Sequence, residues 1–504
     1  MEFICTSTEP IVQTKAGKLR GYRLNGTYTF HGIQYATAKR FHLPEPVAPW
    51  EGVKDATAYG YIAPLMGPEN PFGNIRVPHR YWPQNEDCLY LNVWSRDLTA
   101  KKPVMFWIHG GGFATGSSIE MDAYDGDALA TYGDVVVVSV NHRLNILGYL
   151  DLSAYGEPYK DSGCAGIADL VEALRWVKEN IARFGGDPDN ITVFGQSGGG
   201  GKIQVLMQTP AAFGLFHKAI LESGVIDFGP KPTPKGHKKL VGALLAELGI
   251  APAEVSKIED VPFPALVAAY NAVAPGLKAE GIDVGWAPMP GGYYLGDGRD
   301  VGFCGFAKSL PVLVGSCFGE FGFIPLPPKK AELSEAEQRE ALLGKFGDRT
   351  DEVIALYKAA YPGRNLVDLI VYDTNFRAPN LDFCDKRKAQ SDAPIYSYLF
   401  ALDFPINDGS PAWHCSEIPF AFHNAQKIAV CGIPDVTERL EAQLSGAWTA
   451  FAHTGNPSVP ELPAWNTYNA DETTMVLDVN CEAKQGFDRK LVELVKAITP
   501  AFRH

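Results

Sequence analysis

The sequence predicts an α/β protein whose central sheet is twisted, mostly parallel and covered by helices on both faces. Three observations carry that expectation. "PVMFW" and "DVVVVSV" are continuous apolar runs, the pattern of strands buried on both sides rather than one. "AGIADLVEALRWVKENIARFGG" sets Ile167, Leu170, Val171, Leu174, Val177, Ile181 and Phe184 on one face at helical spacing and stops at Gly185-Gly186. Strands and helices of this length then alternate, which requires right-handed crossovers.

Taken in order, "IVQTKAGKLRGYRL" and "YTFHGIQYAT" read as short antiparallel strands broken by glycine turns, a small N-terminal β-sheet. The Pro- and Gly-rich passage from Phe41 to Pro83 fits neither period and is expected to wrap the surface. Core strands follow at "PVMFW", "DVVVVSV", "NITVFG", "HKAILESG", "LPVLVG", "PIYSYLFAL" and "TTMVLDV", and "SGGGGKIQVLMQTP" is a helix ended by Pro210. Helix-rich text around 230–300 and 325–390, such as "KKLVGALLAELG" and "SEAEQREALLGKFG", interrupts the alternation and is expected to form cap insertions on a single domain spanning 1–504.

Bulk properties narrow the function. A chain of 504 residues with 46% hydrophobic content buries a large core. Its formal charge of -13 repels nucleic acid and anionic lipid. The nine cysteines are odd in number and lack C-x-x-C pairs, so neither a zinc ribbon nor a disulfide framework is expected. The start "MEFICTSTEP" lacks a basic segment followed by an apolar one, and no run approaches the roughly 20 apolar residues of a membrane span. A cytoplasmic protein of bacterial type is expected, with the Asn25 and Asn190 sequons unused.

"VFGQSGGGGK" raises a choice between a phosphate loop and a nucleophile turn. A phosphate loop needs an opening glycine where Gln196 stands and a hydroxyl residue where Ile203 follows Lys202. Gly195-Gln196-Ser197-Gly198-Gly199 instead fills G-x-S-x-G between a strand and a helix, where flanking glycines relieve a turn too tight for side chains. A serine hydroxyl is a weak nucleophile, so Ser197 implies a base, an acid that orients it and donors for an oxyanion. "WIHGGGF" closes a strand with Gly110 to Gly112; the N–H groups of Gly111 and Gly112, with that of Gly198, can form a three-donor oxyanion hole.

"EDCLYLNVW", "WIHGGGF", "NHRLNILGY", "NIARFGGDPDNITVFGQSGG" and "AILESG" resemble, in order and spacing, the signature segments of the type B carboxylesterase (carboxylesterase/cholinesterase) family. The resemblance continues through "VGSCFGEFGF" and "HCSEIPFAF" to "WTAFAHTGNP". It implies the α/β-hydrolase fold and a chain order of Ser197, Glu320, His414: nucleophile, carboxylate and base. The sequence departs from the family at Gln196, where glutamate is usual, at Gly198, where alanine is usual, and at Phe321 and Cys415, where glycine is usual or common. Cys88 resembles half of a family disulfide, yet no cysteine lies between it and Cys5. Ser223 resembles the family's second serine and is expected to bond Glu320. Glu86 and Arg143 resemble a family salt bridge.

Rivals for the base are His109, His142, His423 and His453. His109 precedes the glycines and is expected to donate locally, and His142 to be a satisfied structural residue. Asp403 and Asp408 are fallback acids. Lys202 is expected to pair with a carboxylate such as Glu222. Trp413 and Phe113 are expected to line the pocket, and Cys317 and Cys415, each beside a catalytic position, to make activity sensitive to bulky thiol reagents.

The expected function is hydrolysis of small, moderately apolar carboxylic esters through an acyl-enzyme on Ser197, with no metal or organic cofactor and a small-molecule ester as the only implied partner. Acyl transfer to alcohols is the same chemistry with another acceptor. A catalytically silent, neuroligin-like binding or adhesion protein is the alternative from another class, disfavoured because the serine and histidine positions are both filled.

Overall fold

In the computed structural model, which describes residues 1–67, 76–226, 232–322, 326–406 and 408–499, a sheet of twelve strands spans the molecule. The strands are β1 (Phe3–Ile4), β2 (Tyr22–Leu24), β3 (Thr27–Gln34), β4 (Tyr90–Ser95), β5 (Lys102–Ile108), β6 (Val136–Val140), β7 (Gly186–Gln196), β8 (Lys218–Glu222), β9 (Val312–Cys317), β10 (Ile395–Phe400), β11 (Thr473–Leu477) and β12 (Glu482–Gln485). Their spatial order is β1-β2-β3-β4-β6-β5-β7-β8-β9-β10-β11-β12. From β6 to β11 every pairing is parallel, and the strands flanking that block pair antiparallel. This is the α/β-hydrolase arrangement.

The apolar runs have a direct cause. Along β5, Val104, Phe106 and Ile108 enter one hydrophobic cluster, while Met105 and Trp107 enter another. A strand buried on both sides has no polar face to show, and each large apolar side chain so buried contributes about 1.5–3 kcal/mol. Helix α1 (Ala165–Asn180) closes the first cluster with Ile167, Leu170, Leu174 and Val177. It runs on as a turn of 3₁₀ helix to Phe184 and stops at Gly185, whose φ of 81° is left-handed. The second cluster is closed by a later helix, Thr437–Thr454, through Leu440, Leu444, Trp448 and Phe451.

The strands of the first third are shared out differently from expectation. Ile11–Gln13 and Lys18–Arg20 do form a small sheet, joined in parallel by Val53–Asp55. Tyr22–Leu24 and Thr27–Gln34 leave it and extend the large sheet, because Phe30 and Ile33 bury in the main core. Residues 68–75 of the expected surface wrap lie outside the described residues, as do the first residues of the expected insertions, 230–231 and 325.

Helix α2 (Gly198–Met207) follows β7 without a loop. In the insertions, α3 (Pro234–Glu247) is capped by the Thr233 hydroxyl and packs with α4 (Phe263–Ala279) in a third cluster that also holds Ile146, Leu147 and Leu150. Helix α5 (Glu335–Phe346) opens on a Ser334–Glu337 capping box. It is followed by α6 (Thr350–Ala360) and α7 (Arg377–Lys388).

Glycines fix how closely α2 sits on the sheet. A Cβ built on Gly224 would stand 2.7 Å from the Gly200 carbonyl carbon, so these two backbones touch. Gly224→Ala is therefore expected to push α2 away from β8 and cost about 1–3 kcal/mol, the usual penalty of overpacking. A urea unfolding midpoint equal to that of the unsubstituted protein would refute this account of the contact.

Candidate active site

Three neighbouring parallel strands end together and present Ser197, Ser223 and Glu320. The ladder runs one residue beyond each strand: Ser197 N–H donates to Glu222 O, Ser223 N–H to Gly315 O and Phe318 N–H to Phe400 O, all at 2.8 Å, and Glu320 follows two residues after Phe318. Each following residue must then turn sharply, and the backbone shows it. Ser197 has φ 56° and ψ −125°. Ser223 and Glu320 have φ of 44° and 27°. Left-handed conformations cost about 1–3 kcal/mol each in residues with a Cβ and gather where function imposes them.

His414 arrives on the loop after β10. Its N–H donates to Glu320 O and Gly319 N–H donates to Ala412 O, both at 2.8 Å, so the two loops are stitched by backbone. Their side chains then meet: His414 Nδ1 hydrogen-bonds Glu320 Oε2. Glu320 Oε1 accepts from the Ser223 hydroxyl and from Cys317 N–H, each at 2.7 Å. Burial raises the Glu320 carboxyl while these two donors oppose the shift. Burial also lowers the His414 imidazole below its usual 6.5, which keeps it neutral and able to accept a proton at neutral pH. With Nδ1 committed to Glu320, Nε2 is the ring nitrogen left to do so.

The serine side of the site is more open. Ser197 and Gly198 are half-buried, and Gly111 and Gly112 are exposed. Gly111 (φ 80°) and Gly112 (φ 61°) adopt a turn in which Gly111 O accepts from the N–H groups of Ala114 and Thr115. Among the described residues, the N–H groups of Gly111, Gly112 and Gly198 donate to nothing. A Cβ on Gly198 would collide with the Gly112 backbone, which accounts for glycine where alanine was expected. The Ser197 hydroxyl has no hydrogen bond to His414 among the described residues; such contacts commonly tighten only with substrate in place. The imidazole instead has Gln196 Nε2 3.3 Å from each ring nitrogen, and Gln196 Oε1 accepts from the Cys415 thiol at 3.3 Å.

Other sequence-derived candidates fall as follows. Phe113 is half-buried with its ring 5.2 Å from Tyr149. Trp413 is only 1% exposed, its ring 4.3 Å from Phe404 and 5.3 Å from the Arg76 guanidinium. The rings that meet the imidazole are Phe321 at 4.7 Å and Phe376 at 5.1 Å. Phe376 had no signal in the sequence, because its helical insertion reaches the site only through folding.

Three expectations need correction. Lys202 does not pair with Glu222: its ammonium donates to His109 O, and Glu222 accepts from Trp448 Nε1–H at 2.6 Å. Glu86 pairs with Arg40, and Arg143 with Asp169, rather than with each other, because each finds a carboxylate or guanidinium nearer in the fold. His142 is buried with neither ring nitrogen partnered among the described residues. Cys317 is buried with its thiol donating to Glu417, Cys415 is half-buried, and burial raises both thiols above 9.0. Of the rival bases, His109 bonds Gly110 O, His423 bonds Ser445 and His453 bonds Gly133 O. Asp403 pairs with Arg364, and Asp408 accepts from Lys329 N–H.

Residue clusters that could hold a metal ion are absent among the described residues. Two buried carboxylates that act on His414, Glu417 and Asp373, had no signal in the sequence, and burial raises each to about 7. Glu417 stands 3.5 Å from the Ser223 hydroxyl and 3.0 Å from the Cys317 thiol.

Comparison with known proteins places this geometry. A model described as the carboxylesterase family matches residues 8–494. The para-nitrobenzyl esterase of Bacillus subtilis (strain 168) is 36% identical over 484 residues, covering 94% of this chain and 95% of its own length. Phenmedipham hydrolase of Pseudarthrobacter oxydans is 34% identical over 492 residues, covering 93% and 95%. Among solved structures, an esterase from Clostridium hathewayi, described as able to hydrolyse aliphatic aromatic polyesters, superposes with a TM-score of 0.95 at 50% identity and covers 99% of both chains.

Removing the Ser223 hydroxyl takes one of the two donors from Glu320 Oε1, a buried carboxylate oxygen. Such a bond contributes about 1.5–3 kcal/mol, so Ser223→Ala is expected to lower kcat/KM for p-nitrophenyl acetate by about tenfold or more. Equal rates in a folded variant would show that the contact does not support Glu320.

Proposed function

The chain belongs to the carboxylesterase family, and from that premise we propose that Ser197 is the nucleophile, His414 the general base and Glu320 the carboxylate that orients it. That the chain is an ester-hydrolysing enzyme follows from the family and its relatives. The assignment of residues rests chiefly on one observation: His414 Nδ1 is bound to a buried Glu320 beside a serine held in the left-handed turn at the end of β7.

In this reading, His414 Nε2 takes the Ser197 proton as the serine oxygen attacks the ester carbonyl. The carbonyl electrons move onto oxygen, where the N–H groups of Gly111, Gly112 and Gly198 receive the charge. Collapse expels the alcohol, which takes the proton back from His414. Water, deprotonated by the same imidazole, then attacks the acyl-enzyme and releases the acid, regenerating Ser197. Glu320 stays ionised and supports the imidazolium formed in both steps.

The substrates are small, moderately apolar esters without charge. The Phe321 and Phe376 rings beside the imidazole support an apolar environment for the ester. The relatives' activities on para-nitrobenzyl esters and aliphatic aromatic polyesters, as their names state, support aryl-containing esters within the range. The helical insertions act as a cap that shapes the pocket, and a hydrophobic pocket discriminates by only about 1–3 kcal/mol per methylene.

The test is p-nitrophenyl ester hydrolysis over acyl chains of about two to twelve carbons, with Ser197→Ala as control, from about pH 3 to about pH 9. Activity needs the neutral imidazole. Burial lowers its pKa, so the rate is expected to be full at neutral pH and lost as pH falls through a midpoint below 6.5. A midpoint above 7, or turnover that survives in Ser197→Ala, would overturn the assignment.

A further inference from the structure

Lys202 is fully buried on α2, five residues after Ser197 in the sequence. Its ammonium stands 3.1 Å from His109 O and 3.5 Å from Gly110 O, and 5.9 Å from the centre of the Phe113 ring. No carboxylate pairs with it among the described residues. A buried ammonium satisfied by carbonyls alone is costly compared with an apolar side chain of the same size. The carbonyls it meets are those of the turn that carries the exposed glycines.

Gly110 O belongs to the peptide whose N–H is that of Gly111. A peptide is one conjugated unit, so a donor on its oxygen makes its N–H a stronger donor in turn. Gly110 O has two such neighbours, the Lys202 ammonium and His109 Nδ1 at 3.0 Å. On the other side of the same peptide, Gly111 N–H donates to nothing among the described residues.

We propose that Lys202 is a positioning residue for ester hydrolysis: its ammonium fixes the His109–Gly112 turn and polarises the Gly110–Gly111 peptide toward the oxyanion of the tetrahedral intermediate. The proposal rests on Gly111 serving as an oxyanion donor. Because the charge on the oxygen exists only in the intermediate and its flanking transition states, Lys202 acts on kcat rather than on ester binding. Burial lowers its pKa to about 7, opposed by Glu120. The other titratable groups facing it, His109 and His142, are held neutral by burial. The polarising charge is therefore present on the acid side of that value and lost on the alkaline side.

The experiment compares the unsubstituted enzyme with Lys202→Met and Lys202→Gln, the second keeping a neutral donor if the first fails to fold. Two readouts are taken: kcat and KM for p-nitrophenyl butyrate, and inhibition by a trifluoromethyl ketone that forms a hemiketal oxyanion on serine, measured against its methyl ketone analogue. In both variants kcat is expected to fall about tenfold or more, the loss of a charge-assisted contact, with KM little changed. Ketone affinity should fall in parallel. The ratio of unsubstituted to variant rate should shrink as pH rises through about 7. A folded variant with unchanged kcat and ketone affinity, or a rate ratio constant between about pH 6 and about pH 9.5, would overturn the role of Lys202 alone. An unsubstituted enzyme that does not prefer the trifluoromethyl ketone would overturn the oxyanion reading beneath it.

Discussion

The site depends on backbone hydrogen bonding that continues past the ends of three parallel strands. Glu222 O and Gly315 O each accept an N–H from the residue that follows the neighbouring strand, and the loop bearing His414 is then bonded by backbone to the loop bearing Glu320. Relative positions of Ser197, Ser223, Glu320 and His414 are thus set by peptide groups with fixed lengths, not by flexible side chains. The left-handed turns at Ser197 and Ser223 sit at that continuation, and the one at Glu320 follows two residues after it. A sheet packed on both faces, as Val104 to Ile108 show, is rigid enough to bear that strain.

A second theme is the density of buried acid. Glu222, Glu320, Glu417 and Asp373 are all buried, and burial raises each carboxyl. Each has donors to compensate: Trp448 for Glu222, Ser223 and Cys317 N–H for Glu320, the Cys317 thiol for Glu417, and the N–H groups of Asn375, Phe376 and Arg377 for Asp373. Burial raises both Glu222 and Glu320 to about 8, opposed by the Trp448 indole at Glu222 and by the Ser223 hydroxyl and Cys317 N–H at Glu320. The proposed mechanism calls on one of these carboxyls, Glu320, to face the imidazolium in its ionised form.

Local patterns in the sequence carried much of this. Continuous apolar runs revealed the parallel strands because burial on both faces leaves a one-dimensional trace, and G-x-S-x-G revealed the turn because glycine is required there. Pairings between distant segments left no such trace. Lys202 was assigned to Glu222 because opposite charges are expected to meet, whereas folding gave Glu222 an indole donor and Lys202 two carbonyls. Arg143 and Glu86 failed for the same reason, each meeting another partner. Phe321 lay next to a candidate residue and was visible, but Phe376 comes from an insertion whose approach to His414 is a property of the tertiary structure. Trp413, adjacent to His414 in sequence, turns instead into the core beside Phe404. Adjacency along an irregular loop says little about facing.

The contact between Gly198 and Gly112 has a consequence for how this sequence could have diverged. Two positions far apart in the chain share one volume, with the Gly112 backbone lying where a side chain on Gly198 would project. Alanine, usual at that point in the family, becomes acceptable here only after the other turn has withdrawn, and a withdrawn turn leaves a gap while glycine remains. Neither change is neutral by itself. What residue 198 can carry is thus set by the path of the chain at 112 and not by the side chain found there, so a change at 198 must be answered by a movement of backbone.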